Sequence, residues 1–311
     1  MQETGPVLSV VIPHLNQPDE LEACLASLDA QSLDRALFEV VVVDNGSRSL
    51  PNAVIARHPG TRLAQEFLAG PGNARNRGVA EAVGDVLVFV DADCRAAPNW
   101  LRNALAALEM APDRTILGGD VQIWRNDRAT FSALEAYESV FAYRFKMYIE
   151  QHGFSGTGNL VVRRKDFNLI GPFKGIQVAE DIEWGRRALA AGYTFRFAPE
   201  VVVYHPARKS LRELCVKWDR HIQHAVNSAR GKPMWRLRWI GRAIAVLGSS
   251  AVDWTKVVTS DRIRGVWPRL KAIFVLVSIR TYRAWSMVVL SLLHREVIWN
   301  RENSIGEPDA H

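Results

Sequence analysis

The sequence predicts an α/β fold with a mostly parallel central sheet flanked by helices, followed by amphipathic C-terminal helices. Three observations lead there. Apolar, β-branched runs recur at residues 7–13, 38–43 and 86–90, and such near-continuous runs suit strands covered on both faces. Helical stretches alternate with them through the first part of the chain, which favours parallel strands joined by crossovers. At 311 residues the chain exceeds a usual single domain, so one large α/β domain with an appendage is expected.

The first run, Val7-Leu8-Ser9-Val10-Val11-Ile12-Pro13, is stopped by proline, and the second, Phe38 to Val43, by the turn cluster Asp44-Asn45-Gly46-Ser47. Gly70-Pro71-Gly72-Asn73-Ala74-Arg75-Asn76-Arg77-Gly78 then opens a helix. Its free backbone N–H groups and two guanidiniums can meet phosphate oxygens there. The third run ends in Asp91-Ala92-Asp93-Cys94, two carboxylates one residue apart where parallel sheets hold ligands. Paired hard oxygens at that edge suit Mg2+ or Mn2+, and an acidic turn with no ligand is the other reading.

Downstream, Ser155-Gly156-Thr157-Gly158-Asn159 forms a glycine-rich turn into a short strand, and Ala179-Glu180-Asp181-Ile182-Glu183-Trp184 begins an amphipathic helix that runs to about Ala191. Acidic residues in a first turn ordinarily favour the helix dipole, so capping competes with catalysis at Asp181. A late strand, residues 201–206, ends in His205, either a loop residue or a ligand better matched to Mn2+ than to Mg2+. Trp184 reads first as helix core and second as a stacking surface for an acceptor ring.

Taken together, these blocks resemble the nucleotide-sugar-binding half of the family-2 glycosyltransferases over about residues 7 to 225. The resemblance implies a GT-A fold, inverting transfer of one sugar, and a divalent cation, Mn2+ or Mg2+. It implies that Pro13 and Asp44, with Asn45 beside them, cradle the nucleobase, and that Arg75 faces the nucleotide or its phosphates. Asp91 and Asp93 would hold ribose and metal, with His205 as a further ligand. Asp181 would be the general base, and Asn159, Glu180 and Trp184 would lie near the donor sugar or acceptor. The turn reads Asp-Asn-Gly-Ser where an acidic pair is common in that family. Two rivals stand beside this reading: a nucleotide-sugar-binding scaffold that has lost catalysis, and a nucleotidyltransferase. The latter would want a glycine-rich loop after the first strand, where Pro13-His14-Leu15-Asn16 stands. No Gln-x-x-Arg-Trp follows Asp181, which disfavours processive synthesis.

Charge is uneven along the chain. Residues 1–230 hold 26 Lys plus Arg against 27 Asp plus Glu, whereas residues 231–299 hold 12 against 3, with six of the ten tryptophans, Trp235, Trp239, Trp254, Trp267, Trp285 and Trp299. Basic, aromatic and apolar residues so mixed are expected to lie among anionic lipid headgroups. The apolar runs 272–279 and 284–293 are each short of the ~20 residues a span needs. Read as one, they carry Arg280 and Arg283 near the middle, at about 2.5–3.5 kcal/mol each. A packed helical subdomain or a homo-oligomer interface is the alternative, and the apolar runs are too long for a nucleic-acid-facing strip. Cys24, Cys94 and Cys215 lack metal-ligand spacing, which suits reduced thiols, and residues 1–5 lack a secretory pattern. The expected division is a catalytic domain over residues 1–225 and a helical, membrane-associating region over 226–311. The expected partners are a nucleotide-diphosphate sugar, a glycan or lipid-linked acceptor, and the cytoplasmic face of the cell membrane.

Overall fold

The computed structural model describes residues 5–125, 127, 129–175, 179–231 and 233–293. In chain order the elements begin with β1 (Leu8–His14), α1 (Pro18–Asp29), β2 (Phe38–Asp44), α2 (Asn52–Ile55), β3 (Thr61–Gln65), α3 (Pro71–Glu81) and β4 (Val86–Val90). They continue with β5 (Arg95–Ala96), α4 (Trp100–Glu109), β6 (Thr115–Trp124), α5 (Ala133–Phe141), α6 (Phe145–His152), β7 (Asn159–Arg163), α7 (Arg164–Ile170), α8 (Glu180–Ala190) and β8 (Thr194–Pro206). Four further helices follow among the described residues: α9 (Leu211–Ala229), α10 (Trp235–Gly248), α11 (Ser250–Thr259) and α12 (Val266–Leu293). The chain forms two compact units, one of Met1–Trp124 with Tyr143–Pro206, the other of Arg125–Ala142 with Ala207–His311. The boundary expected near residue 225 falls inside α9, which belongs wholly to the second unit.

The first unit is built on one eight-stranded sheet in the order β3-β2-β1-β4-β7-β6-β8-β5. β3, β2, β1 and β4 run parallel, and β6 runs parallel to β8; β7 is antiparallel to both β4 and β6, so the sheet is mixed. Alternation along the strands explains why they read as continuous apolar runs. Leu8, Val10 and Ile12 of β1 and Val88 and Val90 of β4 face a layer containing Leu21 and Leu25 of α1 and Trp100 of α4. Val11, Leu87 and Phe89 face the opposite layer, with Phe167 of α7 and Trp184 of α8. Both faces are therefore dry, at about 1.5–3 kcal/mol per buried aliphatic or aromatic side chain. The register aligns His14 with Asp44 and Val11 with Phe89, so the ends of β1, β2 and β4 share one edge.

The second unit is all helical among the described residues. A capping box, Ser132 with Glu135, starts α5, whose Leu134 and Tyr137 join Leu214 of α9, Val257 of α11 and Leu276 and Ile279 of α12 in one core cluster. A second cluster joins Ile222 and Val226 of α9, Trp239 and Ala243 of α10, and Met287 and Leu290 of α12. The two apolar runs of the tail prove continuous: α12 is a single 28-residue helix, and Val266–Ser291 is long and apolar enough to cross a membrane by length and composition. Its mid-helix charges find partners in the bundle, Arg280 on Asp253 at 2.6 Å and Arg283 over the Trp218 ring at 3.5 Å. Trp267, Leu270, Phe274, Val277 and Trp285 form an exposed stripe on α12 at helical spacing. Trp299 lies outside the described residues.

Candidate active site

The carboxyl ends of the parallel strands carry the polar groups that the sequence singled out. At the end of β2, Asp44 is buried, with one oxygen 2.9 Å from His14 Nδ1 and the other accepting from the Gly46 and Ser47 N–H groups. The Gln17 N–H donates to His14 Nε2, so the other ring nitrogen carries the proton that goes to Asp44. Burial pushes the Asp44 carboxyl up, but the hydrogen bonds from Ser47 and His14 outweigh it and hold the group below the usual carboxylate range. Asp44 thus ties β1 to the turn after β2, and its oxygens are engaged within the fold. His14 is the residue that sequence reasoning passed over, because only the β1–β2 register reveals its partner. Pro13, one residue earlier, is half-buried.

Asn45 plays a comparable part. Its amide donates to the carbonyls of Glu66 and Leu68 and its oxygen accepts from the Gly70 N–H, so it anchors the loop leading into α3. Gly70 holds φ +121°, a conformation that favours glycine, and Pro71 follows in the first turn of α3. From α3, Arg75 projects into the site and is only 3% exposed. It donates to Asp91 Oδ1 at 2.6 Å and to Glu180 Oε1 at 3.1 Å, while its Nε lacks a partner among the described residues. Its neighbour Arg77 pairs instead with Glu81 one turn along the helix surface, so one guanidinium, not two, reaches the site.

Asp91 and Asp93 sit on the turn after β4, closed by the Cys94 N–H on the Asp91 carbonyl. They diverge. Asp91 faces Arg75, whereas Asp93 Oδ2 lies 3.0 Å from His205 Nε2 at the end of β8. Gly158 explains the first approach: a methyl group there would lie 2.7 Å from Asp91 Oδ2. The glycine-rich turn was the sequence signal for it. His205 Nδ1–H donates to the Pro206 carbonyl at 2.7 Å, and the Tyr143 hydroxyl lies 2.8 Å from Nε2. Burial works against charge on both partners, yet the hydrogen bond and charge of the pair prevail, raising the His205 pKa and lowering that of Asp93.

No group of three His, Cys, Asp or Glu side chains gathers for a metal among the described residues. Asp93 and His205 nevertheless fit a divalent cation. An anchored Nδ1–H fixes the ring with Nε2 toward the carboxylate, as ligating histidines are usually held. A carboxylate oxygen with an imidazole nitrogen suits Mn2+ better than Mg2+. The third expected ligand, Asp91, is engaged by Arg75.

Asp181 lies in the first turn of α8, beside Glu180, with one oxygen accepting from the Ile182 N–H. Burial, and next the charge of Glu180, raise its pKa above the ordinary carboxylate value. The Glu180–Arg75–Asp91 chain of ion pairs links this helix start to the end of β4. Two of the candidate side chains are taken up within the fold, Trp184 in the core position that was its first reading. Asn159 is fully buried, donating to the carbonyls of Asp120 and Val201 and accepting from Trp100 Nε1, so it fastens β7 inside the sheet. Trp184, 1% exposed, is core, stacked on Phe167 with its Nε1–H donating to the Gly171 carbonyl, and no face remains for a sugar.

The strand ends of this two-sided α/β sheet thus gather carboxylates, an arginine and a histidine at one edge. The family model "Glycosyl transferase family 2" matches residues 9–178, and the chain belongs to that family. It is 32% identical to Glycosyltransferase AglE of Haloferax volcanii over 215 residues, 67% of this chain and 69% of that one. Its fold is similar to the solved mannosyltransferase PcManGT from Pyrobaculum calidifontis in complex with GDP-Man and Mn2+, at TM-score 0.60 and 19% identity, covering 94% of this chain and 89% of that one. It is also similar to GalNAc-T7 with UDP, GalNAc and Mn2+, at TM-score 0.51 and 18% identity over 67% of this chain and 45% of that one. The fold is GT-A and the protein is a glycosyltransferase.

Proposed function

We propose that this glycosyltransferase moves one sugar from a nucleoside-diphosphate sugar to an acceptor hydroxyl with inversion at the anomeric carbon. The observation that carries the reading is the ion-pair chain from Asp91 through Arg75 to Glu180, which brings the base candidate Asp181 to the strand edge that bears Asp93 and His205. Asp181 is the general base. An acceptor hydroxyl is a poor nucleophile until its proton can leave, and a positioned carboxylate supplies about a hundredfold to ten-thousandfold in rate. Burial and the charge of Glu180 raise its pKa, which makes it a stronger base. Direct displacement inverts the configuration and needs no second nucleophilic carboxylate. Asp93 and His205 would hold a divalent cation, which when bound supplies charge stabilisation for the departing diphosphate. Mn2+ in the PcManGT and GalNAc-T7 structures supports that assignment, as do their sugar nucleotides for the donor class. Arg75 is held by two carboxylates and acts as a strut between α3, β4 and α8.

The first unit takes the catalytic role and the second the membrane-facing one, on the inner face of the cell membrane, with a lipid-linked or growing-glycan acceptor. The exposed α12 stripe and the basic excess of residues 231–299 support this. Thermal-shift measurements against UDP, GDP, dTDP and CDP with Mn2+ or Mg2+ test the donor class, since a ligand that binds only the native state raises Tm. A shift with one nucleotide, abolished by chelator and by Asp93→Asn, is expected. Full turnover in chelator, or a product that keeps the donor's anomeric configuration, overturns the mechanism.

A further inference from the structure

His205 Nε2, the nitrogen proposed to meet a divalent cation, is already shared. Asp93 Oδ2 lies 3.0 Å from it and the Tyr143 hydroxyl 2.8 Å from it. The other ring nitrogen is committed, since Nδ1–H donates to the Pro206 carbonyl at 2.7 Å. A neutral imidazole so anchored has one lone pair at Nε2, and a protonated one has a single N–H there. Two partners therefore divide a position that holds one bond. A cation needs that lone pair, so Tyr143 gives up the contact whenever Nε2 ligates. The hydroxyl is nonetheless held firmly. The Tyr143 ring lies against the imidazole, with centroids 4.5 Å apart and planes 32° apart, and the half-buried side chain packs on the core of the first unit. Its backbone holds φ +47°, a left-handed conformation uncommon for a bulky residue, and its carbonyl accepts from the Phe145 N–H at 2.9 Å. Backbone strain of this kind gathers at ligand sites.

What the displaced hydroxyl meets follows from its neighbours. Hard cations complete their shell with substrate phosphate oxygens, and ligands in adjacent positions stand about 3 Å apart. A hydroxyl 2.8 Å from one ligating atom is therefore within hydrogen-bond reach of the next. Arg75, the guanidinium expected at the phosphates, is instead held by Asp91 and Glu180. We propose that Tyr143 is a donor-contacting residue, whose hydroxyl rests on His205 Nε2 until a cation takes that nitrogen and then hydrogen-bonds an oxygen of the nucleoside diphosphate. This rests on the cation and donor assignments of the proposed function. Tyr143 thereby opposes the cation alone and favours the cation together with nucleotide.

The full chain is compared with Tyr143→Phe, which keeps the ring on His205 and removes only the hydroxyl. Mn2+ affinity without nucleotide is read from water-proton relaxation. Affinity for UDP, GDP, dTDP and CDP is read by isothermal titration at saturating Mn2+. Tyr143→Phe should bind Mn2+ alone at least as tightly as wild type. It should bind the nucleotide about tenfold or more weakly, the scale of a hydrogen bond to a charged group. Opposite signs in one variant are what a residue that merely steadies the imidazole does not produce. Mn2+ affinity lowered in the variant, by about the 10–100-fold that losing a ligand's supporting partner costs, would make Tyr143 such a support and overturn the proposal. Should the variant melt below wild type in chelator, both affinities are read beneath its Tm, and their change relative to each other decides. Wild type that binds none of the four nucleotides overturns the donor reading and this one with it, whereas wild-type nucleotide affinity matched by the variant overturns this one alone.

Discussion

As the proposed general base, Asp181 carries two opposed demands, ionisation for catalysis and burial near Glu180, and both can be measured. Burial and the Glu180 charge raise its pKa in the folded chain, so the native state holds the proton more tightly than the unfolded chain does. Above the raised native value the group is charged in both states and detracts from stability, and that loss is recovered as pH falls through that value. Asp181→Asn is therefore expected to lower kcat by about 10²–10⁴ with donor-induced thermal shifts preserved, and to raise Tm by roughly 1–3 °C at pH 7. The acid limb of the wild-type kcat profile should fall at a pH above the ordinary carboxylate range. A lower Tm in the variant would mean that Asp181 is structural. Gly158 makes a second case. Adding a methyl group 2.7 Å from Asp91 Oδ2 moves only a side chain, so Gly158→Ala should change Tm little while weakening donor binding by more than tenfold. Equal donor affinity would show that the Asp91 position is immaterial.

At the scale of the element, Trp184 decides how α8 is held. It is sealed against Phe167 and Phe173, so Trp184→Ala is expected to cost about 3–5 kcal/mol, whereas Trp184→Phe should cost less and leave acceptor KM unchanged. A KM effect in a stable Trp184→Phe protein would restore the stacking role. The strands that carry the site were legible because each is covered on both faces and reads as an unbroken apolar run ending in turn residues: β1, β2 and β4 lie where the pattern put them. β8 begins at Thr194, seven residues before the apolar part that betrays it, since its early half alternates exposed and buried positions. What the chain could not disclose alone was pairing. His14 with Asp44, Arg75 with Glu180 and Asp93 with His205 join residues 30, 105 and 112 positions apart, and no local periodicity records such distances. For the same reason Asn159, polar beside a glycine turn, looked like a ligand contact and is a buried clasp.

At the scale of the whole molecule, the tail is a bundle in which Asp253 and Arg280 pair with each other while most other charged side chains, and several tryptophans, are exposed. Trp267 and Phe274 are 75% and 65% exposed, so Trp267→Ser with Phe274→Ser should leave Tm nearly unchanged yet release the protein from anionic vesicles. Wild-type binding should weaken with salt without vanishing, because apolar burial is not screened. Vesicle binding equal to wild type in the double variant would move the contact elsewhere. The helix α5 also alters how such a tail is studied. It is contributed by Arg125–Ala142, so cutting the chain near residue 230 leaves α5 and α9 without the α11 and α12 residues they bury.

That interruption has a consequence for the birth of the protein. On the ribosome, α5 is completed while the residues that cover its apolar face, beginning at Leu214, are still unmade. At about 5–20 residues per second the helix waits several seconds, and longer still for α12. Throughout that interval an amphipathic segment lacks the residues that bury its apolar face. Whichever surface reaches it first, chaperone or bilayer, acts as its provisional partner, so synthesis slowed between residues 142 and 207 should lower the yield of soluble, correctly assembled chain more than an equal delay placed after residue 293.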